Sequence, residues 1–268
     1  MYGERILRGG FQESRKRSQK DGRVEQINQN QTTIKNLIQE IQLQRPALFL
    51  DYDGTLVPIS INPEDALATP DLIETLKALD LRYRMFIVTG RSLQEIMGFI
   101  GPGFNIIALH GAMTSLKGDL RYNIPDFEHY EKICYDLYTR KDVYIRQFTG
   151  LRIYNKGGNI LFHTGLMPPE YFDSLKDLVY ELARDTGMSV YIGKRIMELR
   201  IPGINKGIAI KKYSAGMKKL IAGDDNTDED AFKENPDAIT IHVGPGESIS
   251  RYRLSDPAEM LKLLKGIV

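Results

Sequence analysis

Four short stretches of the sequence combine acidic, hydroxyl and basic side chains at close spacing. They are Asp51-Tyr52-Asp53-Gly54-Thr55, Thr89-Gly90-Arg91, Lys206 in Asn-Lys-Gly, and Gly223-Asp224-Asp225-Asn226-Thr227-Asp228. Together they offer a carboxylate nucleophile, a proton donor, oxygen ligands for a metal, and a cation and hydroxyl to hold phosphoryl oxygens. Hydrolysis of a phosphate monoester needs all of these parts, because it is among the slowest uncatalysed reactions. An oxygen-only site of this kind favours Mg²⁺ as the cofactor.

The two acidic stretches have simpler interpretations when each is taken alone. A calcium loop needs Gly at its sixth position and Glu at its twelfth. Counting from Asp51, these positions hold Leu56 and Asn62, and the run that begins at Asp224 fails at the same two positions. The spacing therefore excludes such a loop. A solvated surface turn explains either stretch by itself better than it explains the four together.

Apolar runs precede these stretches and predict the strands that must position them. The predicted strands are Ala47–Leu50, Met85–Val88, Asn105–Leu109, Leu220–Ala222 and Ala238–Val243. Runs that are apolar throughout, alternating with amphipathic helices, predict an α/β fold with a Rossmann-like three-layer core around a parallel sheet. Since ligands of such sheets bind at the carboxyl ends of the strands, we expect the four stretches to meet there.

The alternation of strands and helices changes between residues 113 and 197. This region has a hairpin signal near Gly118, helical patterns at about 127–138 and 169–186, and two strand pairs. We predict three parts: a flexible polar tail over residues 1–32, a catalytic core made of 33–112 and 198–268, and an inserted α+β cap over 113–197. Such a cap would exclude water and select the leaving group.

Composition limits the classes of partner and compartment. The chain has 268 residues, with 36 Lys and Arg against 35 Asp and Glu, so its overall charge does not attract nucleic acid or an anionic membrane. The single cysteine, Cys134, closes no intramolecular disulfide, and no Cys/His cluster has zinc-site spacing. No signal peptide or membrane-spanning run is evident. We expect a cytoplasmic protein with a small-molecule partner, and its oligomeric state stays open.

In order and spacing, the four stretches resemble the motifs of the haloacid dehalogenase superfamily of phosphatases. The resemblance implies that Asp51 is the nucleophile and that Asp53 is the general acid and then the general base. It implies that Thr89 and Lys206 hold the phosphate, with Gly90 and Arg91 beside it as substrate-binding residues. A carboxyl group at Asp53 suits phosphoester hydrolysis, because it can protonate the departing sugar oxygen.

The same resemblance implies the metal site. Mg²⁺ would bind Asp51, the carbonyl of Asp53 and Asp224. Asp225 and Asp228 would support this site, and the sequence does not decide which of the two contributes more.

Further segments resemble the trehalose-6-phosphate phosphatase family within that superfamily. They are Asp51–Pro58, Leu109-His110-Gly111-Ala112, Met197–Pro202 before Asn205-Lys206-Gly207, and Gly223–Glu229. The resemblance implies a role in trehalose biosynthesis and sugar recognition by the cap residues Glu198, Arg200, Lys156 and His163. A structural alternative for Glu198 is an ion pair with Arg200 or Lys194.

Two departures leave the substrate open. That family usually has a Glu before the Lys at position 156 and Tyr-Arg after the His at position 163, where this chain has Asn155 and Thr164-Gly165. Sucrose phosphate and a glycosylated phosphoglycerate therefore remain alternatives. A phosphosugar mutase and a non-enzymatic phosphosugar sensor are further alternatives, although a sensor needs neither Asp51 nor Asp53.

Overall fold

The computed structural model describes residues 34–60, 62–193 and 195–268. The tail predicted over residues 1–32 lies outside these ranges. The first described element is a helix, α1, over residues 34–44, with buried side chains at Ile34, Leu37 and Ile41. These positions are three or four residues apart and so lie on one face of the helix, as their spacing predicts.

The remaining elements alternate along the chain as follows. The strands are β1 (Ala47–Asp51), β2 (Met85–Val88), β3 (Asn105–Ala108), β4 (Met113–Leu116), β5 (Asp119–Tyr122), β6 (Arg152–Asn155), β7 (Ile160–His163), β8 (Ser189–Ile192), β9 (Ile196–Arg200), β10 (Lys219–Gly223), β11 (Ile239–Val243) and β12 (Tyr252–Leu254). The helices are α2 (Pro70–Asp80), α3 (Leu93–Ile100), α4 (Phe127–Thr139), α5 (Lys141–Gln147), α6 (Phe172–Thr186), α7 (Lys206–Tyr213), α8 (Asn226–Glu234) and α9 (Pro257–Ile267). Among the described residues, no helix combines the length and apolar character needed to cross a membrane.

Within residues 34–60, 62–193 and 195–268, eight strands form the main sheet, in the order β12-β11-β10-β1-β2-β3-β4-β5. The first six are parallel, while β4 and β5 extend the sheet as an antiparallel hairpin. The α/β fold with a parallel sheet is thus confirmed. Strand order changes direction between β10 and β2 on either side of β1, and this is where an open sheet of this kind forms its binding crevice.

Both faces of β1 are covered, which explains its continuous apolar sequence. All five of its residues are buried. On one face, Phe49 stacks on Phe86 of β2 with ring centroids 5.0 Å apart, and both join a core cluster with Ile210 of α7 and Phe232 of α8. A parallel strand at the centre of a sheet buries side chains in both directions, so alternation of polar and apolar residues is absent.

In the described part of the chain, the second sheet has four antiparallel strands in the order β6-β7-β9-β8. Helices α4, α5 and α6 pack with it around a separate hydrophobic cluster. That cluster includes Phe148, Ile160, Phe162, Leu175 and Met197. This α+β arrangement matches the predicted character of the insert.

Sheet membership differs from the predicted limits of the insert at both ends. The hairpin β4–β5 falls within residues 113–197 but hydrogen-bonds to the main sheet, where β4 pairs with β3. At the other end, β9 continues to Arg200 within the second sheet. The hairpin signal near Gly118 was sound, but its sequence alone does not say which sheet it joins.

Two elements were missed in the sequence. Helix α5 is seven residues long, has no side-chain hydrogen bond at its N-cap and buries none of its residues fully, so its local sequence signal is weak. Strand β12 is three residues long, and within the described part of the chain its partner strand is β11. Both depend on tertiary contacts more than on local sequence preference.

Candidate active site

The residues predicted for catalysis and metal binding meet at the carboxyl-terminal edge of the main sheet. Asp51 is the last residue of β1, Thr89 follows β2, and Asp224 follows β10. Lys206 opens α7, whose N-cap Asn205 accepts a hydrogen bond from the backbone N–H of Ile208 at 2.8 Å. The cap fixes where α7 starts and so places Lys206 beside the ends of the strands.

Lys206 bridges two acidic side chains that are far apart in sequence. Its Nζ donates to Oδ1 of Asp51 at 2.7 Å and to Oδ1 of Asp228 at 2.9 Å. All three side chains are buried. Burial alone would lower the pKa of Lys206, but the charges of Asp228 and Asp51 outweigh it and raise this pKa well above its usual value. The lysine therefore stays cationic and holds Asp51 in place.

Three carboxylates form a group that could hold a metal ion. One oxygen from each of Asp51, Asp224 and Asp228 lies within 4.8 Å of the others. The hydroxyl of Thr55 also lies 3.4 Å from Oδ1 of Asp224. Burial, with repulsion from Asp228 and Asp225, raises the pKa of Asp224 to about 7. A divalent cation would relieve this repulsion, and Mg²⁺ prefers carboxylate oxygens, so these residues fit the ion that the motifs imply.

Asp225 and Asp228 have different surroundings. Oδ1 of Asp225 caps α8 by accepting from the backbone N–H groups of Thr227 and Asp228, and from the Thr227 hydroxyl at 2.6 Å. Oδ2 of Asp228 accepts from the N–H groups of Asp224 and Asp225, while its Oδ1 faces Lys206. Asp228 thus belongs to the three-carboxylate group, and Asp225 shapes the loop that carries Asp224.

Gly54 permits the close approach of Asp224 to the loop after β1. Its φ of +86° lies in the left-handed region, and a Cβ built on it would be 2.1 Å from Oδ2 of Asp224. Any side chain at this position would displace the carboxylate. The Gly of Asp-x-Asp-Gly-Thr is therefore needed for space at the acidic group as well as for the turn.

Replacing Gly54 by Ala is expected to weaken metal binding. We predict that Gly54→Ala raises the Mg²⁺ concentration for half-maximal phosphate release at least about tenfold, as loss of groups that orient ligands does elsewhere. Gly118→Ala is a matched control, because its φ is +105° and among the described residues no atom lies within 4 Å of the added Cβ. An equal change in both variants would show that backbone strain alone is responsible.

The carboxylate of Asp53 is hydrogen-bonded to an arginine and lies outside the three-carboxylate group of Asp51, Asp224 and Asp228. Nε of Arg91 donates to Oδ2 of Asp53 at 2.7 Å, and Nη2 donates to Oδ1 at 2.6 Å. The pair is bidentate, and the Arg91 side chain is buried. The predicted substrate-binding residue Arg91 thus contacts the predicted general acid directly.

Thr89 contacts Arg91, and Gly90 contacts Lys156. The Thr89 hydroxyl oxygen accepts from the backbone N–H of Arg91 at 3.1 Å, which leaves the hydroxyl hydrogen to donate elsewhere. A Cβ on Gly90 would come within 2.4 Å of the ring of His110, so only glycine fits here. The carbonyl of Gly90 accepts from Nζ of Lys156 at 3.1 Å, which links the second sheet to the catalytic edge.

Glu198 is the centre of a buried ionic cluster. Its Oε1 accepts from Nζ of Lys156 at 3.1 Å, and its Oε2 accepts from Nε of Arg200 at 2.6 Å. Oε2 also lies 3.3 Å from Nε2 of His110. Of the two ion pairs predicted as the structural alternative for Glu198, the one with Arg200 is present, together with contacts to Lys156 and His110. Lys194, the other predicted partner, lies outside the described residues.

The charges of this cluster are fixed by its surroundings. Burial opposes ionisation of Glu198, but Lys156 and Arg200 outweigh it and hold the pKa of this carboxyl well below its usual range. Burial, with the charge of Arg200, lowers the pKa of His110 to about 4. At neutral pH the cluster thus contains an ionised Glu198 and a neutral His110 that can donate or accept a hydrogen bond.

His163 lies apart from Glu198, on the edge strand pair of the second sheet. Its Nδ1 is 3.3 Å from Nη2 of Arg152 and accepts from the backbone N–H of Gly165 at 3.3 Å. Nη1 of Arg152 reaches Oδ1 of Asn62, in the loop after β1, at 3.4 Å. His163 is buried and supports Arg152, which makes a second link between the cap and the catalytic edge.

His110 and Thr55 were not predicted as site residues. His110 follows β3 at the same edge as Asp51 and Thr89, and its backbone is left-handed, with φ 55°. Its position after an apolar strand was a usable signal, because the same rule located the other motifs. Thr55 belongs to the first motif, and its contact with Asp224 is the structural observation that identifies it as a site residue.

Sequence comparison identifies relatives of the chain. Residues 49–254 match the family described as trehalose-phosphatase. A trehalose-6-phosphate phosphatase-related protein of Thermoplasma acidophilum is 42% identical over 220 residues, which cover 82% of this chain and 96% of the relative.

Solved structures agree with this assignment. A crystal structure of a trehalose-6-phosphate phosphatase related protein superposes with a TM-score of 0.79 at 42% identity, covering 82% of this chain and 96% of that one. A haloacid dehalogenase-like hydrolase from B. subtilis shares the fold, with a TM-score of 0.59 at 14% identity over 83% of this chain and 100% of its own. The chain therefore belongs to the trehalose-phosphatase family of phosphoric monoester hydrolases, and its fold is haloacid dehalogenase-like.

Proposed function

We propose that the chain hydrolyses trehalose 6-phosphate to trehalose and phosphate through a covalent phosphoryl group on Asp51, with Mg²⁺ as cofactor. The observation that carries this proposal is the position of Asp51. Its carboxylate is buried, lies 2.7 Å from Nζ of Lys206, and belongs to the acidic group with Asp224 and Asp228. A nucleophile needs this combination of a fixed carboxylate and nearby positive charge.

In the first half of the reaction, a carboxylate oxygen of Asp51 attacks phosphorus and the bond from phosphorus to the sugar oxygen breaks. Lys206 holds Asp51 and, with the Thr89 hydroxyl, stabilises the phosphoryl oxygens. Asp53 gives a proton to the departing sugar oxygen. In the second half, Asp53 takes a proton from water as the water attacks the phosphoryl group on Asp51, so the carboxylate of Asp51 is restored.

Mg²⁺ would be held by Asp51, Asp224 and Asp228, where its charge offsets the repulsion between Asp51 and the substrate phosphate. The chemistry of the donors supports this choice, because they are all oxygen atoms. Asp225 contributes by capping α8 and so fixing the loop that contains Asp224.

For the leaving group, we propose recognition by a cap that spans residues 123–200. A cavity beside Lys206 is lined by Tyr191 and Arg200 of the second sheet, by Asn159, and by His110, which follows β3 of the main sheet. Among the described residues, Nδ1 of His110 and Nδ2 of Asn159 are buried without a hydrogen-bond partner. Sugar hydroxyls both donate and accept hydrogen bonds, so a polyhydroxylated leaving group would satisfy them. Among such leaving groups we propose trehalose, because a relative 42% identical to this chain is named as a trehalose-6-phosphate phosphatase-related protein.

Phosphate release from a panel of phosphosugars, with Mg²⁺ or with EDTA, tests this function. The panel is trehalose 6-phosphate, sucrose phosphate, a glycosylated phosphoglycerate and glucose 6-phosphate. We expect the highest kcat/KM with trehalose 6-phosphate and a loss of at least about 100-fold without the metal, because a Lewis acid supplies several kcal/mol of charge stabilisation.

The other outcomes separate the alternatives. A preference for another panel member would replace the substrate and keep the mechanism. Full activity in EDTA would contradict the metal assignment. Phosphoryl return to the substrate, with dependence on a bisphosphate activator, would indicate a mutase, and binding without turnover would indicate a sensor.

A further inference from the structure

Arg91 makes contacts that a phosphate-binding arginine does not need. Three of its hydrogen bonds go to protein groups: two to the carboxylate of Asp53 and one, from Nη2, to the carbonyl of Pro63 at 2.9 Å. Its remaining ionic contact, from Nη1 to Glu95, is 4.0 Å long. Glu95 itself is engaged in the capping box of α3 with Ser92. The fork of the guanidinium thus faces Asp53.

The plane of the guanidinium is also fixed. Its central carbon lies 4.6 Å from the ring centroid of Phe99 on α3 and 6.0 Å from that of Tyr52. Tyr52 in turn donates its hydroxyl to the carbonyl of Ala66 at 2.6 Å. Tyr52 and Phe99 stack on each other with ring centroids 6.0 Å apart, so the guanidinium packs against one side of this aromatic pair. A planar cation held against aromatic rings loses little entropy when it forms a bidentate hydrogen bond. Arg91 is therefore a rigid support for whatever its fork holds.

We propose that Arg91 is a positioning residue for Asp53 and acts through that carboxyl group, not as a ligand of the substrate phosphate. This inference rests on the proposed function, because it assigns a partner to the general acid and base. Asp53 carries a soft χ2 torsion after a strand end, and an unheld carboxyl group there would sample several orientations. The two bonds from Arg91 select one of them.

The pair also explains how one group can serve both halves of the reaction. Each carboxylate oxygen of Asp53 accepts one hydrogen bond from Arg91 and keeps a second lone pair, so a proton can join or leave one oxygen while the bond to the other oxygen persists. The persistent bond keeps the carboxyl group in place. Protons and electrons balance as in the proposed mechanism, because Arg91 itself neither gains nor loses a proton.

The pair is connected to the cap through the loop after β1. Arg91 binds the carbonyl of Pro63, and the neighbouring Asn62 lies 3.4 Å from Arg152 of β6. The orientation of Asp53 therefore depends on the position of a loop that the cap also contacts.

A comparison of leaving groups tests the proposal. A sugar alkoxide needs a proton as it departs, whereas nitrophenolate leaves without one. We expect Arg91→Gln to lower kcat/KM for trehalose 6-phosphate by about 10- to 100-fold, within the range of general acid catalysis, and kcat/KM for p-nitrophenyl phosphate by less than about threefold. A phosphate ligand would affect both substrates equally, and that result would overturn the proposal.

A double-mutant cycle with Asp53→Asn gives a second, independent readout. If Arg91 acts through Asp53, then Arg91→Gln should have almost no further effect on trehalose 6-phosphate turnover once Asp53 is Asn. A combined loss equal to the product of the single losses would contradict the proposal. Arg91→Lys keeps the charge and loses the fork, so it should resemble Arg91→Gln and not the wild type.

Two controls keep the outcomes distinguishable. Circular dichroism and thermal unfolding report whether each variant folds, and Arg91→Lys supplies the comparison if Arg91→Gln does not. If the wild type hydrolyses p-nitrophenyl phosphate but not trehalose 6-phosphate, the substrate assignment fails. In that case the double-mutant cycle is repeated with whichever sugar phosphate of the panel the enzyme hydrolyses. The result then tests the role of Arg91 independently of the substrate assignment.

Discussion

Asp51→Asn is expected to lower kcat for trehalose 6-phosphate by at least about 10³-fold, because an amide oxygen is a poor nucleophile and removal of a covalent nucleophile has effects of this size or larger. The substitution changes little else in shape. Lys206 keeps its second carboxylate partner, Asp228, at 2.9 Å, so the positive charge of the lysine is still balanced by an ion pair. The loss should therefore reflect chemistry and not collapse of the site.

Intact-protein mass spectrometry after acid quench checks the intermediate directly. Wild-type enzyme mixed with substrate should carry one added phosphoryl group, and Asp51→Asn should carry none. Asp53→Asn should slow both formation and breakdown of this species. Asp71→Asn is a control, because Asp71 pairs with Lys265 on the surface, 2.7 Å away, and should leave turnover unchanged. Turnover by Asp51→Asn at the wild-type rate would eliminate the proposed nucleophile.

Glu198→Gln is expected to cause the largest loss of stability. Glu198 is fully buried and is the anion shared by Lys156 and Arg200. A glutamine of the same shape would leave these two cations without a counter-charge, and removal of one partner of a buried pair costs about 3–5 kcal/mol. Equilibrium unfolding in urea measures this change. Glu234→Gln removes a solvent-exposed pair with Lys211 and should cost less than about 1 kcal/mol.

The pH dependence of unfolding gives this prediction a sign. The folded-state pKa of Glu198 lies well below its usual value, so the unfolded chain binds its proton first as pH falls. Its contribution to stability is therefore complete above the unfolded pKa of about 4.3 and is lost as the pH falls from there toward the folded pKa. Glu198→Gln should lack this component of acid destabilisation. An unchanged acid profile in the variant would show that Glu198 is not held as an ion.

The same variant separates packing from recognition. If Glu198 also helps to orient sugar-binding groups, KM for trehalose 6-phosphate should rise while kcat/KM for p-nitrophenyl phosphate stays nearly constant, because the smaller substrate does not need the cap cluster. Equal losses for both substrates would indicate that the cluster only maintains the structure.

Local sequence was sufficient for most of the elements and for the edge where the site forms. Runs that are apolar throughout, such as Ala47–Leu50, predict central strands, because such a run has no polar side that could contact water and so is buried on both faces. Their carboxyl ends then had to carry Asp51, Thr89 and Asp224, and the parallel topology brought these residues to one edge. Ser92 and Glu95 have the spacing of a capping box, which marks a helix start for a similarly local reason.

Tertiary structure decided what sequence spacing could not express. Three features depend on contacts between residues that are distant in the chain. They are the pairing of the hairpin β4–β5 with the main sheet, the cations around Glu198, and the ion pair between Arg91 and Asp53. Asp225 and Asp228 are also distinguished only by the structure. They are three residues apart in the chain, but Asp225 caps α8 while Asp228 faces Lys206. The motifs specify the residue types at the site, because the reaction needs those chemical groups. The partner of each buried charge depends on the tertiary structure, because a buried charge needs a counter-charge and the fold determines which residues lie near it.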